Sequence, residues 1–234
     1  MKARPTPKVR AVRSRTGGSS RATTPRSVAT PLGPAAALAR ARKVVFHATS
    51  YGAWESIAES GLRTADQILE APAVRFREDD VVVAAPAGGT YRVRDQKLMA
   101  RARVQDHLDG INLREWLALL QRRTFFFVAQ RDLITHLARY QQSVGQDVLV
   151  FDTARLTRAA AGRIEVTTVN PSAPDAFGFC PCRGPSTFIP LGAYQDQPGD
   201  VVEVAVVDGL QSVEGLVDRV VRYHPGGASE VLVG

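Results

Sequence analysis

The sequence predicts an α+β fold, and three observations carry that prediction. Helix-forming stretches gather in the first half of the chain and strand-like apolar runs in the second, a segregation that favours helices packed beside two small sheets over an alternating α/β array. Hydrophobic residues make up 44% of the 234 positions, enough for one domain with a real core. The basic excess is confined to one end, which separates a body from an arm.

Residues 1–43 hold 11 Lys or Arg and no acid, the first acid being Glu55, so the rest of the chain carries 19 bases against 23 acids. The net charge of +7 therefore belongs to the arm. Residues 1–42 are expected to be a disordered basic N-terminal arm and residues 43–234 the folded domain, with Ala35–Arg42 able to form a short helical lead-in. Such an arm adds salt-sensitive attraction for nucleic acid or an anionic surface, or is a bare solvated tail. It has no apolar signal-like run, and its prolines oppose a continuous amphipathic helix. No apolar run approaches a membrane span. The expected location is the cytoplasm, with no membrane partner. Cys180 and Cys182 are too close to bridge well and show no ligand spacing with any of the four histidines, so neither a disulfide framework nor a metal is expected.

Taken in order, Val44–Phe46 begins a strand. Ser50 can cap the helix that follows, whose stripe is Trp54, Ile57 and Ala58 and whose stop is Gly61. Thr64–Leu69 fits a second short helix. Val81–Ala85 has strand character, with helix as the alternative, and Gly88-Gly89 marks a loop. Asn112 and Glu115 form a capping box ahead of Leu113, Trp116, Leu117 and Leu120. Thr124–Val128 reads as a buried strand. Asp132 can cap a helix that turns Leu133, Ile134 and Leu137 inward. Val148–Phe151 and Ile164–Val169 are strands, and Pro171–Pro185 is a long loop. Ser186–Ile189, Val201–Val207 and Glu230–Val233 read as strands, and Val213–Val221 as a helix.

Three sets of residues can carry chemistry. His47 and Thr49 alternate along a strand end, which places an imidazole and a hydroxyl on one side of the chain, suited to ribose hydroxyls or to a structural role. Glu203 is the only acid inside a strongly apolar strand. It either faces water on an amphipathic strand or forms the floor of a cleft, where a carboxylate can bind a ribose hydroxyl and stabilise an oxocarbenium-like transition state. Arg94, Arg131 and Arg183 are candidates for phosphate contacts, since a guanidinium fork matches two oxygens, or are surface charges. No Gly-x-Gly-x-x-Gly after a strand, no P-loop and no Gly-x-Ser-x-Gly elbow is present, which argues against a Rossmann domain, a P-loop site and an α/β-hydrolase.

His47-Ala-Thr49 followed by a helix ending Ile57-x-x-x-Gly61-Leu62 resembles the opening of DarT-like DNA ADP-ribosyltransferases and of a related group of bacterial proteins. The resemblance continues in order through Arg94-Asp95-Gln96, Phe125–Phe127, Asp147–Asp152, Arg183-Gly184-Pro-Ser-Thr187-Phe188 and Glu203-Val204, spanning about 160 residues. It implies an ADP-ribosyltransferase-like split β-sheet core with peripheral helices, and NAD as a substrate. It assigns Glu203 and His47 to catalysis, and His47, Thr49, Tyr51, Arg94, Gln96, Arg131 and Arg183 to NAD. The family's Tyr-Phe-Asn-Pro-Arg stands here as Phe-Phe-Val-Ala-Gln-Arg131. Implied partners are a nucleic-acid acceptor reached through the arm and an antitoxin or hydrolase. Two alternatives remain open: an NAD-dependent RNA 2′-phosphotransferase-like enzyme leaning on His47 and arginines, and a non-catalytic binding module.

Overall fold

In the computed structural model, residues 33–70, 79–85, 90–93, 104–171 and 182–234 are described. Arg94, Gln96, Cys180 and residues 1–32 of the arm lie outside them. The compact body runs from Leu32 to Gly234. The expected boundary at residue 43 is therefore corrected: α1 (Pro34–Ala41) is a helix of the body, begun by proline at its first position. Its Leu38 is 1% exposed in the main core, and such an anchored helix does not behave as a solvated arm.

The other elements are β1 (Val44–Ser50), α2 (Trp54–Ser60), α3 (Ala65–Leu69), β2 (Val81–Ala84), β3 (Thr90–Val93), α4 (Leu113–Gln121), β4 (Arg123–Phe127), α5 (Gln130–Val144), β5 (Gln146–Asp152), α6 (Thr153–Ala159), β6 (Ile164–Thr167), β7 (Ile189–Pro190), β8 (Glu203–Val207), β9 (Val217–Tyr223) and β10 (Ser229–Val233). The fold is α+β. In place of two small packed sheets there is one eight-stranded sheet in the order β10-β9-β5-β1-β4-β8-β6-β7, with every pair antiparallel, and a separate β2–β3 pair.

Side chains alternate across the sheet, and the two faces have different cores. Val45, Phe126, Leu149, Phe151, Val166, Val204 and Val206 pack with Leu38 of α1, Ile57 of α2 and Leu156 of α6. On the opposite face, Phe46, Ala48, Phe127 and Val148 meet Leu133 and Leu137 of α5, and Phe125 joins Trp116, Leu117 and Leu120 of α4. There Arg123 holds Glu165 by two bonds of 2.6 and 3.1 Å and lies 4.1 Å over the Phe188 ring, tying β4 to β6.

Local chemistry set several elements as expected. The Asn112 side chain accepts from the Glu115 N–H at 3.0 Å and the Glu115 carboxylate accepts from the Asn112 N–H at 2.8 Å, a reciprocal cap at the start of α4. Four expectations are corrected. α2 begins at Trp54, and Ser50 stays in β1 with its hydroxyl donating to the Arg92 carbonyl at 3.0 Å. α5 begins at Gln130 behind Ala129, so Asp132 lies inside its first turn, and Ile134 is 56% exposed. Ser186 lies in a 3-10 turn, Pro185–Thr187, before the two-residue β7. Val217–Tyr223 is a strand because β5 offers it a full antiparallel ladder.

The Gly61-Leu62 stop has a long-range role. Leu62 and Leu210 exchange backbone bonds of 2.8 Å in both directions. Gly61 and Gly209 flank that bridge at φ +79° and +63°, and a Cβ on either would collide with the partner segment's carbonyl oxygen. Gly61→Ala combines backbone strain with this clash, and is expected to cost more than about 2 kcal/mol of stability, measured by urea unfolding.

Candidate functional site

The sheet has a seam. β1 pairs with β5 at seven positions and β4 with β8 at five, but β1 and β4 pair only at Phe46 and Phe127. Past that point the His47 imidazole crosses to β4, with Nδ1 2.9 Å from the Phe125 carbonyl oxygen and its ring 5.5 Å from Phe126. A carbonyl oxygen only accepts, so Nδ1 is the donor in this contact.

Beside the seam, four residues occupy matched positions on successive strands: Phe46, Phe127, Glu203 and Thr167. They share the face that α5 covers. Glu203 is 4% exposed, which removes the reading in which it faces water. Its Oε2 is buried without a hydrogen-bond partner, as is Thr167 Oγ1 directly opposite. Burial, and next the negative charge of Asp132 in the first turn of α5, push the Glu203 carboxyl up to about 8. A carboxyl in this setting is held largely protonated near neutrality and can change charge within the working pH range.

The remaining candidates are distributed more widely. By pleat alternation His47 and Thr49 stand on the α2/α6 face, opposite to Glu203, while the ladder places the His47 and Glu203 backbones about 10–12 Å apart. Thr49 faces the fully buried Asp147 across β1–β5. The Tyr51 hydroxyl lies 2.9 Å from His224 Nδ1, whose Nε2 is 3.2 Å from Glu230. The Arg131 side chain is 89% exposed and pairs with Asp132 at 3.2 Å.

Arg183 is buried, donating from Nε and Nη2 to the Asn170 carbonyl at 3.2 and 2.9 Å. Its backbone pairs with His107 and Asp109, each at 2.8 Å. Gly184 lets that strand-like contact close, since a Cβ there would strike the Asp109 carbonyl. Thr187 Oγ1 accepts from the Gly184 N–H at 3.0 Å, so the Arg-Gly-x-x-Thr motif stitches two loops together.

Thus the structure groups Glu203 with Thr167 and Asp132, and sets His47 and Thr49 across the seam. Sequence reading missed Thr167, one of two adjacent threonines with nothing in the pattern to mark it, and gave Asp132 only a capping role. Among the described residues, no group of three His, Cys, Asp or Glu is placed to hold a metal ion, and no helix is long and apolar enough to cross a membrane. No curated protein matches the chain. Residues 43–217 match the model of DUF7002, a family of unknown function, and the chain belongs to that family.

Proposed function

We propose that the protein is an NAD-dependent ADP-ribosyltransferase in which Glu203 is the catalytic carboxylate. The observation that carries this reading is the buried, partnerless Glu203 oxygen beside the sheet's seam. An acid in that position costs folding free energy, and such groups concentrate at functional sites. Nicotinamide departs as a neutral base, so cleavage of its glycosidic bond needs little general acid. It needs negative charge near the cationic ribosyl group, which ionised Glu203 supplies in a low-dielectric setting. His47 is the second residue assigned to a ribose hydroxyl. His47 and Glu203 occupy opposite faces of the sheet, so the reading rests on Glu203. The phosphotransferase alternative leans on Arg183, whose guanidinium is buried against Asn170.

The test is nicotinamide release from NAD by the purified protein, with single-stranded DNA, double-stranded DNA and RNA added in turn. Release stimulated by one of them identifies the acceptor class for which the basic arm is suited. A folded protein that neither releases nicotinamide under any of these conditions nor binds ADP-ribose rules the reading out.

A further inference from the structure

We infer that Thr167 is a second polar anchor of the same site and that, with Glu203, it holds the vicinal diol of a ribose. The inference rests on the transferase reading and deepens it. Thr167 and Glu203 are directly paired across β6 and β8, so their Cβ atoms are about 5 Å apart on one face. Thr167 is fully buried and Glu203 is 4% exposed. The Thr167 hydroxyl and Glu203 Oε2 each lack a partner, and neither bonds the other.

A lone buried polar atom without a partner is uncommon, and each one costs folding free energy. Two facing each other across a ladder, one a hydroxyl and one a carboxyl oxygen, form a paired polar patch within an apolar sheet. Valine would fill the Thr167 position with the same shape and no unpaired hydroxyl. The pair matches adjacent hydroxyls on a sugar ring: Glu203 accepts from one, and Thr167 donates to or accepts from the other. Exclusion from water strengthens both bonds. Phe127, the neighbour of Glu203 in the same row, supplies an apolar wall.

The experiment uses Thr167→Val and Thr167→Ser in the full chain. Thr167→Val is expected to raise Tm by about 2–4 °C, because it removes an unsatisfied buried hydroxyl. It is expected to lower kcat/KM for nicotinamide release about tenfold and to reduce the thermal shift produced by ADP-ribose, the loss of one buried hydrogen bond to ligand. Thr167→Ser, which keeps the hydroxyl, is expected to retain most of the activity. A simple packing residue would give the opposite pattern, with valine neutral in catalysis.

Nicotinamide release that needs Glu203 but is unchanged in Thr167→Val overturns the inference and leaves the transferase reading standing. Absence of both nicotinamide release and any ADP-ribose thermal shift in the folded wild type overturns both. A Thr167→Val protein that is less stable than wild type also overturns the inference, since it shows the hydroxyl to be satisfied within the fold.

Discussion

Glu203→Gln is expected to yield a protein that is inactive and, in alkaline solution, more stable than the wild type. The glutamate titrates near 4.5 in its ordinary state and near 8 in the fold, raised first by burial and then by Asp132. Below the lower value both folded and unfolded chains hold the proton, and the favourable contribution of this group is fully present. Between the two values the unfolded chain releases its proton while the folded chain keeps it, so stability falls as pH rises, and the loss is complete above the folded value. The total is of the order of a few kcal/mol. Glutamine does not ionise, so the stability gap between variant and wild type should open across this window and level off beyond it. Urea unfolding at about pH 5 and about pH 9 reads the gap directly.

Activity moves the other way. Loss of the carboxylate should reduce nicotinamide release by about two to three orders of magnitude. In the wild type, kcat/KM should climb through about pH 8 as the ionised form grows. A stability gap that does not change with pH would mean that Glu203 is solvated and ordinary. Wild-type release by the glutamine variant would remove it from the chemistry.

Local rules were sufficient where the signal and the structure involve the same few residues. The Asn112–Glu115 cap is contained within four residues, and the runs at 124–128 and 148–151, rich in aromatic and β-branched residues, are strands. They failed where a distant partner decides. Val213, Leu216, Val217 and Val220 follow a helical spacing, yet Val217 and Val220 enter a strand because β5 presents an unpaired edge there. Leu133 and Leu137 face the sheet in α5, and His136, 5.1 Å from Phe127, turns inward where Ile134 was expected. The candidate site shows the same limit. Alternation put Glu203 on one face of its strand without saying whether that face is covered, and the helix turn whose Asp132 acts on it lies some 70 residues earlier in the chain. Nor does spacing along β1 reveal the register Phe46–Phe127–Glu203, which puts His47, one residue on, on the opposite face from Glu203.

Asp147→Ala is expected to be the most damaging single change away from the candidate site. The Asp147 side chain is fully buried, accepts two bonds from Arg222 at 2.8 and 2.9 Å, and accepts the Trp54 N–H at the start of α2 at 3.0 Å. It therefore ties β9, β5 and α2 together behind the end of the strand that carries His47 and Thr49. Hydrogen bonding to Asp147 is the main cause holding Arg222 even more firmly protonated than a free guanidinium, so removing the acid leaves a charge that cannot neutralise itself. Breaking such a pair from one side costs about 3–5 kcal/mol. Glu55 also meets Arg222, at 3.1 Å, but its own side chain is 63% exposed, and Glu55→Ala should cost under about 1 kcal/mol. The double change Asp147→Leu with Arg222→Met removes both charges. It should recover most of the loss, short of about 1 kcal/mol for the uncapped Trp54 N–H. Urea unfolding of the three variants separates the contributions. A cost for Asp147→Ala no larger than that for Glu55→Ala would show that the ion pair does not brace this end of the sheet. A double variant as weak as Asp147→Ala would shift the weight from the ion pair to the α2 cap.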